Sequence, residues 1–313
     1  MNIVIGSRGS QLALWQANWV KDQLIAAGHE IAIEIIRTTG DKLQSFPPEQ
    51  PLPTSLERSV AEAGTKGLFI KEIETALLAG EVDLAVHSLK DLPTVLPEGL
   101  ILAAVPPRED ARDVFISVNA EPFEQLPAGA RVGTSSPRRQ AQLRRLRPDL
   151  ELVALRGNLD TRLRKLERGD CHALVLAAAG LHRLGLRDRI TGYFDFDQIC
   201  PAVGQGALAI EIPRENAALE RALAPLDDPA THLAVRAERA MLQGLGGGCQ
   251  VPIAAHASLE GAQLRLRGIV ASLDGSRLIR AVAAGVEEDP ESLGSAVADD
   301  LLEKGAGEIL AIG

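Results

Sequence analysis

The chain has 313 residues, enough for two or three domains, and its 46% hydrophobic and 24% charged residues are the balance of a soluble globular protein. It carries a net charge of −9, no run near the about 18 apolar residues of a membrane span, and three well-separated cysteines (Cys171, Cys200, Cys249) with no CxxC and no paired histidine spacing. These features argue against a membrane protein, a disulfide framework and a zinc site, and the N-terminus reads as a first strand rather than a secretory signal, so a cytoplasmic location is expected.

In chain order, 3–6 reads as a strand and 10–27 as an amphipathic helix with Leu12, Trp15, Trp19 and Leu24 at near-helical spacing. A strand over 31–36 follows, then a proline-rich stretch, 41–64, with Pro47, Pro48, Pro51 and Pro53, where nothing supports regular structure. The alternation resumes with a helix over 67–79 and a short buried strand over 82–87. Residues 130–136 (Ala-Arg-Val-Gly-Thr-Ser-Ser) repeat the outline of 3–9 (Ile-Val-Ile-Gly-Ser-Arg-Gly), and 171–176 that of 82–87. The two offsets, 127 residues from Gly6 to Gly133 and 89 from Asp83 to His172, differ, which excludes a solenoid. Two similar α/β lobes with a ligand in the cleft between them fit better. From about residue 229 a helix (231–242), alternating segments (253–259, 263–271, 278–286) and a closing helix (291–302) suggest a small α+β domain.

Each strand–Gly–Ser/Thr turn leads into a helix N-terminus, where free N–H groups and the dipole favour an anion. Ser7-Arg8 and Thr134-Ser135-Ser136 add side chains at those points, and Pro137 suits a first helical position. Residues 131–168 hold eleven Lys or Arg against four acids, a local +7 that leaves −16 elsewhere. Arg138, Arg139, Arg156 and Arg162 fall in the first turn of a helix or the loop before it, where cations oppose the dipole, so stability does not explain them and anion binding does. Arg144, Arg145, Arg147, Arg164 and Lys165 lie at ordinary surface spacings. Asp91, in His87-Ser88-Leu89-Lys90-Asp91, follows a buried strand at the end where α/β sheets bind ligands; it is either a surface ion pair with Lys90 or a carboxylate that stabilises a developing cation or shuttles a proton. Cys249 lies in Gly246-Gly247-Gly248-Cys249-Gln250-Val251-Pro252, a loop stripped of side chains; it either presents a thiol to a bulky group or is a flexible turn that happens to contain a cysteine.

Together these segments resemble the porphobilinogen deaminase (hydroxymethylbilane synthase) family. The resemblance runs through Ser7-Arg8 with Leu12 to Gln16, Lys66-Gly67-Leu68-Phe69-Ile70-Lys71-Glu72, and Ala85 to Asp91. It continues through Val132 to Ser136 with Arg138-Arg139, Leu155-Arg156-Gly157-Asn158, Pro201-Ala202-Val203-Gly204-Gln205-Gly206-Ala207, and Gly247 to Pro252. Any one of these motifs is weak; seven in order are specific. The resemblance implies a transferase that joins four porphobilinogens head to tail with loss of ammonia. The units grow on a dipyrromethane held by thioether to Cys249, and hydrolysis then releases hydroxymethylbilane. It implies Asp91 as the catalytic carboxylate. It places Ser88, Lys90, Thr134, Ser135, Ser136, Arg138, Arg139 and Gly206 around the cofactor, and Arg8, Gln16, Lys66, Arg156 and Arg162 toward substrate, with no metal.

The implied fold is α/β: two similar periplasmic-binding-protein-like lobes and a small α+β C-terminal domain. Its divisions are expected at 1–106 with 201–224, 107–200, and 225–313. A monomer acting on a small molecule, with neither nucleic acid nor membrane as partner, is expected. The chain departs from the family pattern in its long 41–64 stretch, in Gly246 where an acidic residue is expected, and in Pro137 where an aliphatic one is. Two other classes remain to be weighed. A two-lobed anion receptor has no need of Cys249. A nucleic-acid binder would use 131–168, but acidity elsewhere and the lack of interleaved aromatics weigh against it.

Overall fold

A computed structural model describes residues 1–45, 53, 67–247, 252–286 and 289–311. The chain divides into two compact units, Met1–Arg108 with Ala207–Pro229, and Glu109–Gly206 with Ala230–Gly313.

In the first unit, β1 (Asn2–Ser7) pairs in parallel with β2 (Glu30–Ile35) and β3 (Leu84–Ser88). Helix α1 (Gln11–Ala26) connects β1 to β2, capped by the Ser10 hydroxyl accepting from Ala13 N–H. Helix α3 (Lys71–Leu78) leads into β3, and β4 (Leu100–Ala104) follows it. The strand between β3 and β4 comes from far along the chain: β10 (Leu208–Pro213) lies antiparallel to both, giving the order β2-β1-β3-β10-β4.

The second unit repeats this plan with residues contiguous in sequence. Its strands β5 (Asp113–Ser117), β6 (Arg131–Gly133), β7 (Glu151–Val153), β8 (Ala173–Ala177) and β9 (Gly192–Tyr193) take the order β7-β6-β8-β5-β9. Again the first three are parallel and the next antiparallel to its neighbours. The expected pair of similar α/β lobes is therefore present as two sheets of one topology. Helices α4 (Pro137–Leu146), α5 (Leu159–Glu167) and α6 (Ala178–Arg183) follow β6, β7 and β8. Phe115, Phe123 and Phe194 meet edge to face in the core of this sheet, three of the few aromatics the chain has.

The same unit holds the expected α+β portion. Strands β11 (Ile253–Glu260), β12 (Gln263–Ala271) and β13 (Leu278–Val286) form an antiparallel sheet. Helices α8 (Pro229–Gly244), α9 (Pro290–Glu303) and α10 (Ala306–Leu310) contribute Met241, Val297, Leu301 and Ile309 to the apolar cluster it buries. Helix α7 (Ala217–Leu223) belongs to the first unit.

Two expectations need correction. The stretch 41–64 begins inside a helix, α2 (Thr39–Ser45). Thr38 Oγ1 accepts from Asp41 N–H while the Asp41 carboxylate accepts from Thr38 N–H, the reciprocal capping that a Thr-x-x-Asp sequence encodes. Residues 46–52 and 54–64 lie outside the described residues. The buried face of α1 is Gln16, Ala17, Val20 and Leu24; Leu12, Trp15 and Trp19 are only half-buried. Small residues let the helix lie close on the sheet, and the large rings flank the contact.

Candidate functional site

In the first unit the expected site residues gather at the carboxyl ends of β1 and β3, which are adjacent and parallel. Arg8 leaves β1 and forms a bidentate pair with Asp41: Nη2 lies 2.5 Å from Oδ1, and Nε lies 3.1 Å from Oδ1 and 3.3 Å from Oδ2. Its guanidinium also stacks 4.1 Å from the Phe69 ring centre. Burial by itself raises the Asp41 carboxyl, but the bonds from Arg8 and Thr38 outweigh it and hold that group below the usual carboxylate range. Gln16, buried on α1, donates to Ser88 Oγ at 2.9 Å and so ties the helix to the end of β3. Residues Leu89–Asp91 then form a 3₁₀ turn, anchored by Leu89 N–H donating to Ala207 O at 3.0 Å. The turn buries Leu89, leaves Lys90 half-buried, and exposes Asp91. No described residue bonds the Asp91 carboxylate, which is therefore accessible to a ligand.

Behind this turn, on the opposite side of β3 from Ser88, is an acidic cluster that sequence reading missed. His87 Nε2 is 3.1 Å from Glu211 Oε2, both buried, and Glu74 approaches from α3. One carboxylate oxygen on each of Glu74 and Glu211 is buried without a partner.

In the second unit, α4 and α5 start where the adjacent parallel strands β6 and β7 end. Both helix N-termini thus face the same edge of the sheet. Ser136 caps α4, its hydroxyl accepting from Arg139 N–H, and Pro137 occupies the first helical position, where its missing N–H costs nothing. Ser135 Oγ donates to Leu155 O at 2.8 Å, and Thr134 Oγ1 accepts from Ser136 N–H at 3.3 Å. These bonds join the 134–136 turn to the 155–158 loop, which presses on β6 so closely that a Cβ on Gly133 would meet Leu155.

The four arginines at these helix starts differ in their partners. Arg138 and Arg139 are 7% and 6% exposed, and both reach Asp113, at the head of β5. The expectation that stability gives no account of this pair is therefore corrected: a buried carboxylate holds both. Arg156 is exposed. Arg162 is half-buried and donates from Nε to Gly157 O at 2.9 Å; no described residue gives it a carboxylate. Burial, with the charge of Arg139 adding to it, pulls the Arg162 guanidinium down to about 10. Arg139 Nε is buried without a partner. Guanidinium N–H groups left open beside two helix N-termini are an arrangement able to take a carboxylate.

Gly206 has φ +89, and a Cβ there would lie 2.3 Å from Glu109 O. The resulting close turn sends Gln205 inward, where Nε2 donates to Asp113 Oδ1 (2.8 Å) and Ala111 O (2.7 Å). Arg183 Nη2 donates to Gly206 O, and buried Glu238 accepts from Gly204 N–H (2.7 Å) and Ala257 N–H (2.8 Å). Gln205 entered sequence reasoning only within the 201–207 motif, and Asp113, Arg183 and Glu238 escaped it. Only Asp113 had a local signal, a charge heading the apolar run Val114-Phe115-Ile116.

Cys249 and Lys66 lie outside the described residues. Gly246 and Gly247, just before that cysteine, have φ +82 and +66; their N–H groups donate to Gln243 O and Leu242 O and end α8, which accounts for a glycine at 246. Cys171 and Cys200 are buried. Burial pushes both thiols up, that of Cys200 to about 12. No described helix is long and apolar enough to cross a membrane.

Residues 3–221 match the family model for the porphobilinogen deaminase dipyrromethane cofactor-binding domain, and 232–303 match the model for the C-terminal domain of porphobilinogen deaminase. The porphobilinogen deaminase of Syntrophobacter fumaroxidans is 50% identical over 310 residues, covering 98% of this chain and 96% of that one. Those of Geobacter sulfurreducens (50%, covering 98% and 93%) and Desulforudis audaxviator (51%, covering 99% and 97%) are similar throughout. Among solved structures, the methionine-binding protein MetQ is 12% identical with a TM-score of 0.43, covering 69% of this chain and 84% of that one. The periplasmic VFT2 domain of Bordetella pertussis BvgS is 14% identical with a TM-score of 0.40, covering 71% and 85%. By its two matched domain models and its full-length relatives, the chain belongs to the porphobilinogen deaminase family, transferases of tetrapyrrole biosynthesis.

Proposed function

We propose that Asp91 is the catalytic carboxylate of this chain and that Cys249 carries the dipyrromethane in thioether linkage. In this reading Ser88, Lys90, Thr134, Ser135, Ser136, Arg138, Arg139 and Gly206 surround the cofactor, and Arg8, Gln16, Lys66, Arg156 and Arg162 serve the incoming porphobilinogen. One observation carries it: at the starts of two helices that follow adjacent strands, Arg139 has a buried Nε lacking a partner and the Arg162 side chain bonds only a backbone carbonyl among the described residues. A dipyrromethane bears acetate and propionate groups, and arginines with N–H groups still open fit it.

When bound, the dipyrromethane supplies the pyrrole end onto which substrate units are joined. The arginines would hold its carboxylates through the N–H groups that Asp113 leaves open. Asp91, exposed on a turn fixed by Leu89, accepts from pyrrole N–H groups and offsets the positive charge that develops as ammonia leaves. Cys171 and Cys200 are poor candidates for the linkage, since a buried thiol held above its ordinary range yields little thiolate.

The division into 1–106 with 201–224, 107–200 and 225–313 belongs to the same proposal, supported by the separate apolar clusters of the second and third sheets. So does a cytoplasmic monomer with neither nucleic acid nor membrane as partner; the net negative charge outside 131–168, where 22 of the 33 Lys and Arg lie among 38 acids, weighs against a nucleic-acid partner. The test is the intact mass of the purified chain with peptide mapping. Added mass of two linked pyrroles on Cys249, absent from Cys249→Ser, is the expected result. A chain that gains no mass after incubation with porphobilinogen would instead be a binding protein.

A further inference from the structure

Arg138 and Arg139 are adjacent, buried and in the first turn of a helix, three circumstances that each disfavour a cation. They persist because of Asp113. This carboxylate is fully buried, with Oδ2 2.8 Å from Arg138 Nη1 and Oδ1 2.7 Å from Arg139 Nη2. Gln205 Nε2 donates to the same Oδ1 at 2.8 Å, fixing the carboxylate plane. Arg138 Nη1 is held from a second side by Cys200 O at 2.5 Å, itself bonded to Gln142. One anion facing two cations leaves the cluster a surplus of one positive charge. It also takes Nη2 of Arg139 and leaves Nε without a partner.

We infer that Asp113 is a positioning residue for the cofactor, setting the orientation of Arg138 and Arg139 and, by neutralising one of the two, the net charge they offer to a carboxylate. This rests on the reading that Arg138 and Arg139 bind the dipyrromethane. Without the Asp113 charge the two guanidiniums repel and turn apart, so the cofactor meets arginines in the wrong place even though both remain.

The experiment measures cofactor loading. Full-length chain is produced without dipyrromethane and incubated with increasing porphobilinogen. The loaded fraction is read by intact mass, and folding by far-UV circular dichroism and thermal melting. Asp113→Asn is expected to keep its fold while its half-maximal loading concentration rises about tenfold or more, the scale set by partners that orient ligand-holding side chains. A lowered melting temperature with unchanged loading would mean a purely structural role and overturn the inference. If Asp113→Asn does not fold, Asp113→Asn with Arg139→Gln, which restores the net charge, is compared with Arg139→Gln alone. The inference expects the double variant to load less well because Arg138 has lost its guide, and equal loading overturns it. Arg138→Gln and Arg139→Gln separate the two levels. Normal loading of both would overturn the arginine reading and this inference together, whereas impaired loading of both with normal Asp113→Asn loading would overturn the inference alone.

Discussion

Arg8 and Asp41 form a bidentate ion pair between the end of β1 and the first turn of α2, with both side chains largely shielded from solvent. An internal carboxylate thus sits on the guanidinium that is proposed to receive a substrate carboxylate.

The folded-state pKa of Asp41 is depressed, so its contribution to stability is present above the ordinary carboxylate range and lost as pH falls through the folded value. Asp41→Asn should cost about 1–3 kcal/mol at pH 7, as a charge-assisted bond to a partly shielded arginine does, and less near pH 3, below the ordinary carboxylate value. Thermal melts at the two pH values check this; equal losses at both would remove the ion pair as the cause.

Glu74 behaves in the opposite sense. Burial first, and the charge of Glu211 second, push its carboxyl up to about 7, with His87 opposing, from an ordinary 4.5. Between those values the folded chain keeps a proton the unfolded chain has released. This contribution is therefore complete below 4.5 and is lost as pH rises through 7. Glu74→Gln should flatten the decline in melting temperature between pH 5 and pH 8, and an unchanged slope would assign it to other groups.

Arg162→Gln should separate stability from binding. The fold gains little from a half-buried cation whose only described bond is to a backbone carbonyl. The melting temperature should hold or rise slightly, while the KM for porphobilinogen rises about tenfold, the loss of one bidentate carboxylate contact. A large drop in stability with unaltered KM would make Arg162 structural.

Asp91→Asn should leave folding and cofactor loading intact, since the carboxylate is exposed and no described residue depends on it. Turnover should fall by about 100-fold or more, the usual scale for a positioned acid–base or charge-stabilising group. Near-normal turnover would remove Asp91 from the chemistry.

The sequence displays the parallel halves of both sheets because each is written as strand, glycine, hydroxyl, helix. The recurrence at residues 3–9 and 130–136 is what the ladders β1–β3 and β6–β8 share. It hides the antiparallel strands, since β10 pairs with β3 from about 120 residues away and nothing local announces that partner. Helix α2 was legible in Thr38-x-x-Asp41 but masked by the prolines that follow. The arginines at the helix starts were conspicuous as charges. Their division into a buried, carboxylate-held pair and a partner-poor Arg162 was not, because Asp113 meets Arg139 from 26 residues away and Gln205 bonds that Asp113 from 92 residues away.

The late arrival of β10 bears on how the chain is born. During synthesis the strands of the second sheet emerge in one unbroken passage and can all pair by residue 193, before β10 at Leu208–Pro213 exists. Until then β3 and β4, already translated, lack the strand that lies between them. The lobe made first is thus the lobe finished last, and its two waiting edges must stay clear of wrong partners while about a hundred further residues leave the ribosome.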